Sequence, residues 1–214
     1  MNNHKDMEIP PQLPLLAVRD VVIFTDMILP LFIGRDISVA AVEAAQENEK
    51  LVIISAQKDQ SKEEPGPEDV HQVGTVAMIM RQLRLPDGRL TVLVHGLAKA
   101  RLSGVVSREP YIRVRVEVQA EMPAPEASIE LEALMRNVKE QSQKILSLKD
   151  ALSDEVVSIL ENIEDPGRLA DLVTSNLRVK VDTAQQVLET TDPQERLRLG
   201  NEIMGQELKV AIMQ

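Results

Sequence analysis

The sequence predicts an α+β protein, with a β-rich N-terminal part followed by a helical C-terminal part. Up to about residue 120, short apolar runs are bounded by charged residues, proline and glycine, and several alternate apolar with polar residues, which is typical of β-strands. After residue 127, apolar residues recur at helical spacing. The proline-containing stretch 121–127, EMPAPEA, is typical of a linker. We therefore expect an antiparallel β-rich lobe at 1–120, a linker at 121–127 and an α-helical lobe at 128–214.

The composition and charge of the chain argue against several classes of protein. The formal net charge of -10 argues against nucleic-acid partners, because phosphate contacts need clustered lysine and arginine. The absence of cysteine excludes a disulfide framework and a thiolate metal site. The N-terminus has no apolar signal core, and no later apolar run is long enough to span a bilayer. These observations predict a soluble, cytoplasmic protein with no membrane partner.

The first predicted strands lie close to the N-terminus. Residues 13–18 and 28–33 are short apolar runs, the first ending at the charged pair Arg19–Asp20, and such runs favour buried strands over one continuous helix. Pro30 has no N–H to donate to a sheet, so we expect it at a sheet edge or in a bulge. The next predicted elements are a helix at 37–47 and a buried strand at 51–56.

The region from Val73 to Leu102 carries the strongest β-hairpin pattern. Two apolar runs, TVAMIM and RLTVLV, flank a Leu-Pro-Asp-Gly-Arg turn at residues 85–89, in which proline, aspartate and glycine all have the expected turn chemistry. We expect Leu90, Val92 and Val94 on one side of the second strand and Thr91, Leu93 and His95 on the other. Gly96 and Gly104 are expected at bulges or bends. A last strand within 111–119 should turn Ile112, Val114, Val116 and Val118 inward.

The C-terminal part reads as a series of capped amphipathic helices. We expect a long helix at about 128–148, a shorter one at 154–163, and a third that begins at Asp165–Pro166, with aspartate as N-cap and proline at the first helical position. Asp182 with Gln185, and Asp192 with Glu195, have the spacing of capping boxes. The last apolar pattern has no stop signal before Gln214, so we expect a truncated helix and a longer parent chain.

No catalytic or metal-binding constellation is present in the sequence. It contains neither a G-x-x-x-x-G-K-[ST] phosphate loop nor a G-x-S-x-G nucleophile motif. His4, His71 and His95 have no metal-ligand spacing among themselves, and the acidic, proline-containing stretch 58–69 is interpreted as a solvated loop. We therefore assign no catalytic residue, no metal ligand and no cofactor to these residues.

Several motifs, in order along the chain, resemble those of the Lon family of ATP-dependent serine proteases (endopeptidase La). The opening LPLLAVRDVVIFTDMILPLFIGR resembles the start of the Lon N-terminal domain, although Ala17 and Thr25 stand where proline is common in that family. The hairpin from Gly74 to Gly88 is similar too, and so are the segments VHGLAKARL, DPGRLADLV and KVDTAQQVLETTDPQERL. The resemblance covers nearly the whole chain from Leu13 onward.

This resemblance implies a PUA-like pseudo-barrel followed by a helical bundle. It also implies that the domain captures unfolded or damaged polypeptides and supports assembly of an AAA+ hexamer, with the rest of the Lon chain and neighbouring subunits as partners. In Lon, the Walker motifs and the Ser-Lys dyad lie in later domains. The parent protease is thus expected to use ATP and magnesium. This fragment by itself is expected to have neither ATPase nor peptidase activity.

A receptor for non-native chains needs an apolar and adaptable surface rather than a specific polar pocket. The candidate residues for such a surface are Met27, Ile28, Leu29, Pro30 and Leu31, with Met78, Met80 and Val94 from the hairpin. Two alternatives remain open at this point. Instead of a domain of a Lon protease, the chain could be a free-standing Lon-like adaptor without a protease, or it could be an RNA-binding module, a role that PUA-like folds often have.

Overall fold

The computed structural model describes residues 8–123, 125–177 and 179–213. His4, Ala124 of the expected linker and the final Gln214 lie outside these ranges. The chain divides into two compact units, one that extends up to Ala120 and one that begins at Glu121. No helix within the described ranges is both long and apolar enough to cross a membrane.

The N-terminal unit is built around one curled β-sheet. Its elements are β1 (Gln12–Val18), β2 (Ile28–Ile33), α1 (Asp36–Glu47), β3 (Leu51–Ala56), β4 (Val73–Arg84), β5 (Leu90–Ser107) and β6 (Arg113–Val118). The strand order is β2-β5-β4-β3-β1-β6, and β6 pairs with β5 as well. The strands β5, β4, β3, β1 and β6 therefore close into a ring, and β2 lies outside it at a sheet edge. The predicted α+β class with a pseudo-barrel is confirmed, and Pro30 lies on the edge strand.

The sheet is mixed, whereas the sequence suggested antiparallel pairing throughout. Strands β1 and β3 are parallel, with Leu15 opposite Ile53 and Val18 opposite Ala56, and the other pairs are antiparallel. Parallel strands need a long crossover. The segment between β1 and β3 supplies it, since it includes both β2 and α1. Local periodicity cannot reveal this, because it reports side-chain faces and not strand partners.

An aliphatic core fills one face of the curled sheet. It contains Leu13, Leu15, Leu51, Ile53, Val70, Val76, Ala100, Leu102, Ile112, Val114 and Val116. The inward set predicted for β6 is right for Ile112, Val114 and Val116, but Val118 is 48% exposed at the end of the strand. Register shifts in β5 occur next to Gly96 and Gly104, where the sequence predicted bulges. These irregularities allow one 18-residue strand to pair with three neighbours.

The C-terminal unit is a helical bundle with an aliphatic core. Its helices are α2 (Ile129–Leu148), α3 (Asp154–Asn162), α4 (Pro166–Asn176), α5 (Val181–Glu189) and α6 (Pro193–Met213). The helix α6 packs against α2 and α4, and Leu131, Val138, Leu169, Leu197 and Met204 are among the residues of the shared core.

Most of the helix starts follow the predicted capping chemistry. Asp165 accepts bonds from the N–H groups of Gly167 and Arg168, and Asp192 accepts from those of Gln194 at 2.9 Å and Glu195 at 3.2 Å. The capping box predicted at Asp182 is wrong. The N-cap of α5 is Lys180, which makes no side-chain cap bond, and Asp182 lies inside the helix.

A buried cation lies inside the helical unit. The Arg196 side chain is 1% exposed, and its Nε is 3.1 Å from Asp171 Oδ1. The other guanidinium contacts include Glu121 at 3.4 Å. A side chain at Gly167 would approach Arg196 Nη2 to 2.5 Å, so glycine leaves room for the buried guanidinium. The paired carboxylates offset the cost of removing this charge from water.

Candidate binding surface

The edge strand β2 presents alternate side chains to solvent and to the core. Ile28 is 53% exposed and Phe32 is 81% exposed, and Pro30 between them is exposed as well. In contrast, Leu31 and Ile33 are each 6% exposed. This alternation is the period-two geometry of a strand. An edge strand therefore carries a row of large apolar side chains on its open face.

The open face of β2 is continuous with the core face of the sheet. Residues in register on adjacent antiparallel strands point to the same face, and one such row runs from Leu51 through Met78 and His95 to Ile28. Leu51 is 2% exposed at one end of this row, and Ile28 is 53% exposed at the other. The apolar character of the face thus extends from the core to a region of the sheet that is open to solvent.

Two further rows complete this face. One contains Arg81, Leu93 and Pro30, and the other contains Leu83, Thr91 and Phe32. Met80 occupies the register shift between Ile79 and Arg81 and is 47% exposed, while Leu83 is 63% exposed. We call this surface the apolar face, and it comprises Ile28, Pro30, Phe32, Met78, Met80, Arg81, Leu83, Thr91, Leu93 and His95.

The structure separates the eight candidate residues into three groups. Ile28, Pro30 and Met80 are exposed, while Met27, Leu29 and Met78 are partly buried. Leu31 and Val94 were wrongly assigned to the surface, since they are 6% and 0% exposed. Both side chains point to the opposite side of the sheet from Ile28, because each lies one residue out of phase with the exposed row.

The sequence analysis missed Phe32 and Leu83. Period-two alternation from Ile28 would have placed Phe32 with Ile28 and Pro30, and this signal was available in the sequence. The outward position of Leu83 depends on the register shift between Ile79 and Arg81, which no local pattern announces.

Close backbone contacts hold β2 in place. The Asp26 N–H donates to Gly96 O at 2.8 Å, and the Gly96 N–H donates to Met27 O at 2.9 Å. A Cβ at Gly96 would lie 2.3 Å from Phe24 O, so only glycine allows this approach without displacing the backbone. Asp26 has a φ of 70°, in the left-handed region that aspartate tolerates better than most residues. These features fix where the exposed strand begins.

A groove of about 630 Å³ lies beside β2, lined by residues 17–21, 29–35 and Ser38. Arg19, Asp20 and Arg35 are its charged lining residues. The Arg35 guanidinium donates to Gln57 Oε1 at 2.6 Å and to Ala17 O at 3.4 Å. Burial, and secondly the charge of Arg19, lower the pKa of Arg35. The positive charge of Arg19 therefore acts on Arg35, and both side chains line the groove.

Within the described ranges, no group of three or more histidine, aspartate or glutamate side chains is placed to hold a metal ion. The apolar face and the adjoining groove are two surface features of the N-terminal unit. Such a surface suits binding by shape and apolar contact.

The fold and the apolar face fit a binding domain, and comparison with known families identifies which one. The family model described as the ATP-dependent protease La (LON) substrate-binding domain matches residues 12–206. The chain belongs to this family.

Relatives with similar sequences are named Lon protease. The Lon protease of Geobacter metallireducens is 51% identical over 211 residues, covering 99% of this chain and 26% of the relative. That of Desulfovibrio desulfuricans is 48% identical over 206 residues, covering 96% of this chain and 23% of the relative. The chain thus spans about a quarter of the length of these relatives.

Two solved structures have the same fold. The N-terminal domain of the Mycobacterium avium complex Lon protease is 27% identical, with a TM-score of 0.71, and the match covers 91% of this chain and 98% of that domain. A Lon N-terminal domain protein from Xanthomonas campestris has a TM-score of 0.62 at 15% identity, covering 87% of this chain and 95% of that one. The second likeness concerns the fold alone.

Proposed function

We propose that the apolar face binds exposed apolar segments of unfolded or damaged polypeptides. The observation that carries this proposal is the row Ile28, Pro30 and Phe32 on an edge strand, with Phe32 81% exposed. A contiguous apolar surface of this kind costs solubility and marks an interaction site in many proteins. Non-native chains expose the apolar side chains that such a surface would bury.

The side chains on the apolar face suit partners of varied sequence. Met78 and Met80 are unbranched and flexible, which lets them adjust to differently shaped apolar groups. Phe32 and Leu83 offer larger surfaces, and no cluster of charged groups on this face imposes a specific partner. The resulting selectivity would favour accessible apolar segments over a particular sequence.

We further propose that this domain serves a longer Lon-type protease. In that proposal, ATP-dependent unfolding, with ATP and magnesium, and serine peptidase chemistry belong to other parts of the parent. Neighbouring subunits of a hexamer would then lie near the bound polypeptide. The support comes from family membership and from the Lon relatives, which are about four times as long as this chain.

The first test replaces Phe32 by serine and measures binding of a permanently unfolded protein, reduced and carboxymethylated lactalbumin, by fluorescence anisotropy. Burying a phenylalanine side chain contributes about 1.5–3 kcal/mol, so Phe32→Ser is expected to weaken binding by roughly tenfold or more. The free energy of unfolding of the Phe32→Ser variant should barely change, because the Phe32 side chain is exposed in the free domain.

The matched control is Ile129→Ser in the helical unit, where the side chain is 87% exposed. It removes a similarly accessible apolar group that is not part of the apolar face and should leave binding unchanged. Equal losses in the two variants, or none in either, would contradict the assignment of the face.

A further inference from the structure

The edge strand β2 has a free side as well as an open face. It pairs with β5, and no other strand of the described sheet neighbours it. Its backbone groups alternate between those that bond β5 and those that point away from it. Which residues point away follows from two backbone hydrogen bonds, one at each end of the β2–β5–β4 region.

The first bond that shows which residues of β2 bond β5 lies at the start of the strand. The Gly96 N–H donates to Met27 O, so Met27 turns its carbonyl toward β5. In an antiparallel pair, bonded and non-bonded positions alternate. Leu29, Leu31 and Ile33 therefore bond β5, whereas Ile28, Pro30 and Phe32 direct their backbone groups to the free side.

A second bond leads independently to the same assignment of residues to β5 and to the free side. In the β4–β5 turn, the Leu85 N–H donates to Arg89 O at 2.8 Å. Two residues further, Thr91 must bond Leu83 of β4, so its peptide groups cannot also bond β2. Thr91 is opposite Phe32, which leaves the N–H and C=O of Phe32 directed away from β5. Pro30 agrees with this assignment, because proline has no N–H and a residue directed to the free side donates no hydrogen bond to β5.

The free side of β2 faces the groove described above. Residues 29–35 line this groove together with residues 17–21 and Ser38. Its volume of about 630 Å³ lies within the range of about 300–1,000 Å³ of ordinary ligand sites. The outward-facing backbone groups of β2 along this groove are one donor, from Phe32, and two acceptors, from Pro30 and Phe32.

The end of the groove next to Ile33 carries positive charge. Arg19 and Arg35 line it together with Asp20, and both also line a neighbouring pocket that contains Asp36, Glu63 and Glu64. Among the described residues, however, no carboxylate lies within ion-pair distance of either arginine. The chain as a whole has a formal net charge of -10. The two guanidinium groups are thus not neutralised by a direct ion pair, and the group that complements them is a carboxylate.

We propose that an extended segment of a non-native polypeptide adds to the free edge of β2 as a further strand, and that an aspartate or glutamate side chain of that segment binds Arg19 and Arg35. This inference rests on the proposed function and specifies its binding mode. Backbone pairing supplies affinity that does not depend on sequence, as in other cases of strand addition. The carboxylate selects which segments bind and fixes their register.

The test uses capped heptapeptides that alternate valine with threonine and carry one terminal aspartate. Two versions carry N-methyl groups on alternate residues, one on the odd positions and one on the even positions. Only one set of N–H groups can face the β2 acceptors. One pattern should therefore weaken binding at least tenfold, while the other should change it less than about twofold. Equal effects of the two patterns would overturn the proposal.

The charge requirement is tested with Arg19→Gln and the same peptide carrying asparagine in place of aspartate. Exposed ion pairs are weak, so Arg19→Gln should weaken the aspartate peptide about two- to fivefold and leave the asparagine peptide unchanged. Arg101→Gln, at another exposed arginine of the same unit, is the matched control. Equal losses for both peptides would overturn the role of Arg19.

Failure of this inference is distinguishable from failure of the proposed function. In one outcome, binding of unfolded lactalbumin depends on Phe32, whereas binding of the peptides does not depend on the position of the N-methyl groups. This result would support the apolar face and overturn strand addition. Self-association of the chain through β2, seen as a dimer by sedimentation with no peptide bound, would also overturn it.

Discussion

Leu31 and Phe32 are neighbours in the chain, yet their side chains are 6% and 81% exposed. The pleat of β2 turns them to opposite sides, so one stabilises the fold and the other is available to a partner. The residues of an apolar run in a strand therefore cannot all be assigned to the core, or all to the surface. The exposed residue carries the cost of an apolar side chain in water, which binding would remove.

Gly96 lies where β5 approaches the backbone that precedes β2 most closely among the contacts described above. An alanine Cβ there would lie 2.3 Å from Phe24 O, so backbone must move, and we expect Gly96→Ala to lower the free energy of unfolding by about 1–3 kcal/mol. Gly104→Ala in the same strand meets only Arg115 Nη1 at 3.5 Å and should change it by less than about 0.5 kcal/mol. Urea unfolding of both variants measures this difference, and equal values would contradict the close-approach argument.

At the scale of elements, the sequence predicts whether a helix or a strand is present better than it predicts the residues at which that element begins and ends. The expected strands at 28–33 and 51–56 agree with β2 and β3, because apolar runs and turn residues are local signals. The starts of α5 and α6 show the limit. Asp182 and Asp192 have the same capping spacing, but only Asp192 caps. Burial of Val181 on the inner face of α5 starts that helix earlier, and this tertiary requirement is absent from the motif.

The two aspartates give a direct test at this scale. Asp192→Ala removes the acceptor for the Gln194 and Glu195 N–H groups and should cost about 0.5–2 kcal/mol of unfolding free energy. Asp182→Ala removes a first-turn charge but gains helix propensity, so its net effect should stay within about 0.5 kcal/mol. Thermal unfolding monitored by circular dichroism compares them. A larger loss in the Asp182 variant would contradict the observed cap.

At the scale of the molecule, the division into a β unit and a helical unit follows from the change in periodicity near residue 120. Ring closure through β6 and the parallel β1–β3 pair could not be predicted, since both depend on which strands meet. The candidate surface was predictable in region but not by residue. Ile28, Pro30 and Met80 are exposed, whereas Leu31 and Val94 are core and Phe32 and Leu83 were overlooked.

The central claim is that the apolar face, rather than any exposed apolar side chain, receives non-native polypeptides. Site-specific photo-crosslinking with benzoylphenylalanine tests it most directly, with the probe placed at Phe32 in one variant and at Ile129 in another. The two native side chains are similarly accessible, at 81% and 87%. With unfolded lactalbumin, the account predicts strong crosslinking from position 32 and only background from position 129. Equal crosslinking from both positions, or stronger crosslinking from position 129, would contradict it.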